Sequence, residues 1–151
     1  MTFVKDVFFD FFTMFTRANN FRRIDRRIGF LQPEHIAHAL ANLPPRVLVR
    51  TYARMPQDRF DDDLPAFDPV CVEALADRGV RLVGIDSASV DPAASKSLPS
   101  HQVLRRRGLR VLENLLLDEV PEGDYELIAL PLKLVTADAS PVRAVLRELP
   151  R

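Results

Sequence analysis

The sequence predicts an α/β fold whose mixed sheet contains a strand–helix–strand unit. Two short segments, residues 46–52 and 80–86, are apolar and rich in β-branched residues, which is typical of buried strands. Between them, Asp68 and Pro69 are the residue types that begin a helix, and Gly79 is the type that ends one. A helix between two such strands indicates parallel pairing in a βαβ unit.

The N-terminal segment is apolar, and we expect it to be helical. Val4, Phe8 and Phe15 fall at helical spacing. The stretch is shorter than the ~20 apolar residues that span a bilayer, and Asp6 and Asp10 interrupt any secretory signal. Four arginines follow it: Arg22, Arg23, Arg26 and Arg27. The favoured interpretation is a helix that packs on its own domain or on a partner, while a membrane-surface helix and a segment foreign to the fold stay open.

The elements that flank the central unit are predicted from turn and cap residues. Residues 33–41 predict a short helix, and residues 55–67 predict a polar loop. Residues 100–107 predict a helix that ends at Gly108, and residues 109–117 predict a short buried strand.

The C-terminal part is predicted to hold one strand and one helix. Residues 125–135 are mostly apolar and favour a strand. Ser140 and Pro141 are typical of a helix start, so a last helix is expected through Leu149.

Composition excludes some classes of function. Lys+Arg and Asp+Glu both number 21, so the formal charge is zero and no basic field argues for nucleic acid. The 47% of hydrophobic residues is enough for a packed core. The single cysteine, Cys71, excludes an internal disulfide. It lies in an apolar run, where we expect it to pack as a small hydrophobe in a cytoplasmic protein.

Two clusters of ligand-type residues are weak candidates for metal sites. His35 and His38 share a helix face at a spacing that can hold a metal, but solvated helix residues show this spacing far more often. An acidic loop lacks the spacing and the glycine of an EF-hand, so a solvated run of charge is favoured over a Ca²⁺ site. Its members are Asp58, Asp61, Asp62 and Asp63.

His101 and Glu113 form a stronger candidate pair. One continuous helix would hold them about 18 Å apart, but Gly108 lets the chain turn from the helix into the next strand, so the two side chains could converge. A carboxylate in an apolar strand needs a partner. From composition alone, an arginine partner for Glu113 is favoured over a metal. The nearby candidates are Arg105, Arg106, Arg107 and Arg110.

Four stretches of the chain carry a family resemblance, and they keep its order and spacing. They are LPPRVLVRTY at residues 43–52, GIDSASVDP at residues 84–92 with Ser95 and Lys96, residues 101–113, and GDYELIALPL at residues 123–132 with DASPVR at residues 138–143. These stretches resemble the bacterial kynurenine formamidases (arylformamidases), metal-dependent hydrolases of the cyclase family. The resemblance covers residues 32–151, so residues 1–31 are expected to be a separate segment unrelated to the family.

The resemblance implies a partial swivelling β/β/α (cyclase-like) fold, usually dimeric. It implies hydrolysis of N-formyl-L-kynurenine to L-kynurenine and formate in tryptophan degradation, with zinc or a similar divalent metal. It also implies that His101 and Glu113 ligate that metal, which reverses the preference for an arginine partner. No catalytic acid or base is assigned.

The family's N-terminal metal motif, His-x-Gly-Thr-His-x-Asp-x-Pro-x-His, is absent from the sequence. A catalytic zinc takes about three protein ligands and a water, so His101 and Glu113 alone leave the site incomplete. We therefore expect a truncated chain that is inactive by itself, unless a partner supplies the missing ligands. The alternative is a non-catalytic remnant that acts as an oligomerisation or interaction module.

Overall fold

A six-stranded mixed sheet dominates the part of the chain that the computed structural model describes, which is residues 2–6, 30–31 and 45–149. The strands are β1 (Thr2–Asp6), β2 (Phe30–Leu31), β3 (Arg46–Arg50), β4 (Ala66–Phe67), β5 (Leu82–Ile85), β6 (Arg110–Leu112), β7 (Gly123–Pro131) and β8 (Val142–Glu148). The helices are α1 (Pro69–Asp77) and α2 (Pro99–Arg107). The sheet has the order β6-β5-β3-β1-β7-β8, while β2 and β4 form a separate parallel pair.

The predicted βαβ unit is confirmed. Strand β3 pairs in parallel with β5, with Val47 opposite Val83, and α1 lies between the two strands in the chain. The arrangement then repeats, because β5 pairs in parallel with β6 and α2 connects them. The two helices contact each other, so the connections form one helical layer.

Helix α1 begins and ends at the predicted residues. The Asp68 side chain accepts a hydrogen bond from the Val70 N–H at 2.8 Å, which satisfies one of the free N–H groups of the first turn. Pro69 occupies the first turn, where its missing N–H costs nothing. Gly79 has a φ of +86°, which ends the helix.

The two faces of the sheet carry different cores. Val47 and Val49 of β3, with Val83 and Ile85 of β5, pack against the helices in the larger cluster, which includes Phe67. On the opposite face, the smaller cluster centres on two buried leucines and the side chains packed on them. They are Leu48 and Leu117, with Leu82, Leu112, Leu115, Val120, Tyr125, Leu127 and Leu146. Strands β3 and β5 are therefore covered on both sides.

The helix expected at the N-terminus is wrong for Thr2–Asp6, which form strand β1. In this strand Val4 lies opposite Leu48 of β3 on one side and Gly123 of β7 on the other. Pairing on both sides satisfies backbone groups that a short isolated helix would leave unpaired. Tertiary pairing thus overrides the helical spacing. The rest of the expected helix lies outside the described residues, as does the helix predicted over residues 33–41.

The last predicted helix is also wrong, because Val142–Glu148 form strand β8. The sequence VRAVLRE alternates in burial along the strand, as a sheet with one covered face requires. Leu146 pairs with Leu127 of β7, and both belong to the smaller core cluster. The adjacent strand β7 therefore decides the conformation, and the Ser140–Pro141 signal precedes a strand instead.

Four strands, β3, β5, β6 and β7, are shorter than predicted, and the polar loop contains one strand that was not predicted. Strand β6 ends at Leu112, after which the Asn114 N–H donates to the Ser87 carbonyl at 2.7 Å and the chain leaves the sheet. Strand β7 ends at Pro131. In the loop, Ala66–Phe67 form β4. Neither described helix is long and apolar enough to cross a membrane.

Candidate metal site at the carboxyl ends of the parallel strands

The candidate site lies where parallel strands β3, β5 and β6 end. Parallel strands present their carboxyl ends at one edge of a sheet, and loops gather there into the usual place for a ligand. In this chain the three loops are residues 51–65, 86–98 and 113–122. Each loop contains an acidic side chain with a defined hydrogen-bonding role: Asp61, Asp91 and Glu113.

His101 and Glu113 converge, as the sequence predicts. His101 lies in the first turns of α2, and Glu113 directly follows β6. Gly108, with a φ of +66°, ends α2 and lets the chain turn back. The imidazole Nε2 of His101 then lies 3.4 Å from Oε1 of Glu113. Both side chains keep about 30% of their surface exposed (32% and 28%), so solvent and ions reach the pair.

The other ring nitrogen of His101 is held by Asp91. Its Nδ1 lies 2.7 Å from Oδ2 of this fully buried aspartate. The same carboxylate accepts the backbone N–H groups of Ser100 and His101, at 2.8 and 3.0 Å. The ring is therefore fixed through its side chain and its backbone together.

Glu113 is oriented by a backbone group of the loop that contains Asp91. Its Oε1 accepts the Val90 N–H at 2.8 Å. Two of the arginines considered as its partners pair elsewhere: Arg106 and Arg107 both contact Glu73 of α1. These contacts lower the pKa of Glu73, chiefly through Arg106. Arg106 and Arg107 therefore pair with acidic side chains of α1 and not with Glu113.

A second buried aspartate ties two strand ends together beside this site. Asp86 follows β5 and is fully buried. It accepts the Thr51 N–H at 2.9 Å, the Thr51 hydroxyl at 2.6 Å and the Tyr52 N–H at 3.0 Å, all from the loop after β3. Burial raises the pKa of the Asp86 carboxyl, although these hydrogen bonds oppose the shift. The pKa of Tyr52 is also raised, first by burial and then by its hydrogen bond to Asp61.

An open cavity of about 730 Å³ lies between the loops that follow β3 and β6. It is lined by Ala53, Arg54, Gln57, Leu116, Asp118, Glu119 and Val120. Arg50, at the end of β3, donates to the carbonyls of Leu117, Asp118 and Val120 and so fixes one wall. The described loops therefore form an open cleft lined by both polar and apolar side chains.

The weaker candidates gain no support as metal sites. In the acidic loop, Asp61 accepts the Tyr52 hydroxyl at 2.9 Å and the Asp63 N–H at 3.2 Å, which is a structural role. Within residues 2–6, 30–31 and 45–149, no three or more His, Cys, Asp or Glu side chains group to hold a metal ion. Cys71 is fully buried, as predicted. His35 and His38 lie outside the described residues.

Sequence reasoning missed the supporting roles of Val90 and Asp91. Both fall in the stretch at residues 84–92, but nothing in that stretch shows which later residues they contact. One signal was available. Helix α2 begins after Leu98, a residue that cannot cap it, so an acceptor for its first N–H groups must come from elsewhere.

Comparisons with known proteins agree with the resemblance and with the fold. No protein-family model matches the chain. A kynurenine formamidase of Paracidovorax citrulli is 76% identical over 118 residues, and one of Delftia acidovorans is 74% identical over 116 residues. These alignments cover 76% and 77% of this chain but 55% of each relative. The kynurenine formamidase of Bordetella pertussis is 65% identical over 84% of this chain and 62% of the relative.

Two solved structures share the fold. A potential metal-dependent hydrolase with cyclase activity superposes with a TM-score of 0.74 at 29% identity, over 98% of this chain and 65% of that one. A predicted metal-dependent hydrolase from Bacillus stearothermophilus gives a TM-score of 0.73 at 30% identity, over 96% and 62%. The mixed α/β sheet is thus cyclase-like. This chain spans a little over half the length of the first kynurenine formamidases that it matches.

Proposed function

From the relationship of this chain to the bacterial kynurenine formamidases, we propose that it carries part of the metal site of a formamide hydrolase. His101 and Glu113 would hold a divalent metal, by resemblance zinc or a similar ion. The substrate would be N-formyl-L-kynurenine, cleaved to L-kynurenine and formate. The 3.4 Å separation of His101 Nε2 and Glu113 Oε1 carries this proposal, because two donors from different elements meet at an accessible point.

The chemistry of the two donors fits a divalent cation. An imidazole nitrogen and a carboxylate oxygen are usual zinc ligands. When its Nδ1 carries the proton, the neutral ring of His101 presents a lone pair at Nε2, next to the negative charge of Glu113. A cation stabilises this arrangement, because it interacts favourably with both groups. When bound, such a metal supplies Lewis-acid activation of water and of the formamide carbonyl.

The described residues do not complete the site. A catalytic zinc needs about three protein ligands and an open position. The pair supplies two donors, and the described ranges offer no group of three. We propose that further donors come from another chain, and that this chain alone binds zinc weakly and releases formate negligibly.

The test is zinc binding by calorimetry, with formate release measured on the same samples. Glu113→Gln and His101→Ala should each reduce zinc affinity, whereas Glu119→Gln, an exposed acid after the same strand, should leave it unchanged. If another chain completes the site, formate release should appear on mixing and be lost in both site variants. Substantial turnover by the isolated chain that persists in both site variants would overturn the proposal.

A second candidate function is an interaction module without catalysis, and the exposed apolar side chains of the C-terminal hairpin favour it. Leu130 is 77% exposed, and Ile128, two residues before it in β7, pairs with Val145 of β8. Val135, in the loop between the two strands, is 89% exposed. An apolar surface of this kind is typical of a protein–protein contact. We propose a homodimer, as the resemblance implies, in the cytoplasm. Light scattering of the purified chain tests this second function. A chain that is monomeric at all concentrations and binds no related protein would contradict it.

A further inference from the structure

The Asp91 carboxylate connects the start of helix α2 with the ring of His101. It is completely buried, and three donors lie around it: the Ser100 N–H, the His101 N–H and the His101 Nδ1. Burying a carboxylate is costly unless it is fully hydrogen-bonded. The three contacts meet that requirement and use both carboxylate oxygens.

Helix α2 depends on this carboxylate because its own cap residue cannot serve. Leu98 has a left-handed backbone (φ 47°, ψ 57°) and no side-chain acceptor. The first N–H groups of a helix need outside partners, and a negative charge there is also favoured by the helix dipole. Asp91 supplies both from the preceding loop, so the position of the His101 backbone is fixed by the group that binds its ring.

The same contact determines which ring nitrogen is free. A carboxylate only accepts hydrogen bonds, so Nδ1 of His101 must carry the proton that it shares with Asp91. In the neutral ring, the lone pair then lies on Nε2. Nε2 is the nitrogen that lies 3.4 Å from Glu113, whose Oε1 is held by the neighbouring Val90 N–H. Residues 90 and 91 thus orient both donors of the candidate site.

We propose that Asp91 is a positioning residue that fixes His101 as the Nδ1–H tautomer and leaves Nε2 free to bind the metal. The metal role rests on the function proposed above, whereas the tautomer is a property of the metal-free chain. A partner of this kind sets the orientation and basicity of a ligating imidazole, and its loss typically lowers metal affinity about 10–100-fold.

The decisive experiment is ¹⁵N NMR of the metal-free chain labelled at histidine, with the His101 signals assigned from a His101→Gln sample. The wild-type ring should be protonated at Nδ1 in its neutral form. In Asp91→Asn, the side-chain amide can donate to Nδ1 instead, so the neutral ring should shift to the Nε2–H tautomer. A wild-type ring protonated mainly at Nε2 in its neutral form would overturn the proposal. This measurement on the wild-type chain does not depend on whether any variant folds.

Ser100→Ala is the matched control. It removes the buried hydrogen bond from the Ser100 hydroxyl to the Phe67 carbonyl, 2.7 Å long, but keeps both backbone contacts with Asp91. We expect a lower melting temperature with an unchanged His101 tautomer. A tautomer that shifts in this control as much as in Asp91→Asn would show that any loosening of α2 has the same effect, and the proposal would fail.

Zinc titration separates this inference from the proposed function. A fall in zinc affinity of about 10–100-fold in Asp91→Asn supports both. If the tautomer result holds but neither wild type nor Glu113→Gln binds zinc, the proposed function fails and the positioning of the ring stands. If wild type binds zinc but the tautomer of Asp91→Asn is unchanged, the positioning role fails alone.

Discussion

The parallel strands β3, β5 and β6 and the hairpin β7–β8 belong to one sheet, but they differ in how they are covered. Val49 and Leu48 of β3 are each 1% exposed, because helices pack on the face that carries Val49 and the loop after β6 packs on the face that carries Leu48. In the hairpin, Leu130 is 77% exposed and Val145 is 45% exposed. The same architecture therefore contains a part covered on both faces and a part covered on one.

The difference shows why the candidate site lies where it does. A strand with two covered faces can present chemistry only at its ends, and the buried aspartates Asp86 and Asp91 both occur just beyond β5. Packing on both sides holds these strand ends in fixed positions, as a ligand site requires. The hairpin instead offers a broad surface, which suits contact with another protein.

The largest expected effect comes from shortening a leucine in the covered part. Leu48 is 1% exposed, and Leu48→Ala should lower the free energy of unfolding by about 2–5 kcal/mol, through lost burial and the cavity that remains. Leu130→Ala in the hairpin removes the same atoms from an exposed position and should change it by about 0.5 kcal/mol or less. Urea unfolding of both variants measures the difference. If the two variants lost equal free energy of unfolding while the chain is monomeric, the difference in covering between the two parts of the sheet would be refuted.

Adding one methyl group should also change the free energy of unfolding by different amounts in the two parts of the sheet. A Cβ at Gly84 of β5 would overlap the Leu48 side chain and lie 2.8 Å from Leu115 Cδ1, so Gly84→Ala should cost about 1–3 kcal/mol. At Gly123 of β7, the nearest atom to a Cβ is 3.7 Å away, which is ordinary contact. Gly123→Ala is therefore expected to be nearly neutral in the same unfolding assay. A neutral Gly84→Ala would show that the covered face has unfilled space.

Asp86 should give the covered part a pH dependence. Asp86→Asn replaces an acceptor with a group that also donates, so it should cost about 1–3 kcal/mol. The raised pKa of Asp86 means that the folded state holds the proton more tightly than the unfolded state. Its contribution is then complete below the unfolded pKa and is lost as pH rises through the folded pKa.

Unfolding of wild type and Asp86→Asn across the acidic range checks that sign. The cost of the substitution should be largest at low pH and shrink as the pH rises above the usual aspartate range. Thr51→Ser keeps the hydroxyl donor to Asp86 and serves as the control. A cost that grows with pH would show that the hydrogen bonds, and not burial, dominate the pKa of Asp86.

The smallest effect is expected for an ion pair on the exposed face of the hairpin. Arg147 contacts Glu126 across the two strands, and their side chains are 67% and 42% exposed. Exposed pairs of this kind contribute about 0.2–1 kcal/mol and are screened by salt. Glu126→Gln should cost no more than this, and its effect should disappear in concentrated salt. A larger, salt-independent loss would indicate that this face is covered.

Local signals in the sequence were sufficient for the covered part of the fold. The α1 helix has its cap at Asp68 and its end at Gly79, and both are determined by the residues next to them. Strands β3 and β5 were predicted because an apolar β-branched run between turn signals has few other conformations available. The conformation of these elements is determined by residues close to them in sequence, so no knowledge of the tertiary structure was needed to predict them.

Strands β1 and β8 could not be predicted, because their conformation depends on distant partners. Val4 pairs with Leu48 and Gly123, and Leu146 pairs with Leu127. A local pattern compatible with a helix yields to a neighbouring strand that supplies hydrogen bonds and apolar contact. Helix prediction from spacing or from a cap signal fails wherever the chain adds a strand to a sheet.

The candidate site was half predictable. Gly108 is a local signal, so the turn that brings Glu113 back to His101 could be inferred. The role of Asp91 could not, because it depends on how the loop folds against a helix that begins eight positions later, at Pro99. Residues that orient ligands are chosen by tertiary geometry, and a single sequence gives little sign of them.

The central place of β1 has a consequence for how the chain is made. Thr2 pairs with Tyr125, and Phe3 pairs with Val47. A ribosome adds about 5–20 residues per second, so β1 emerges seconds before β3 and longer still before β7. The parallel strands can assemble against β1 while synthesis continues. The edge of β1 that pairs with β7 then remains unpaired until β7 has been made. Because β7 follows the parallel strands in the chain, its pairing with β1 can form only after theirs.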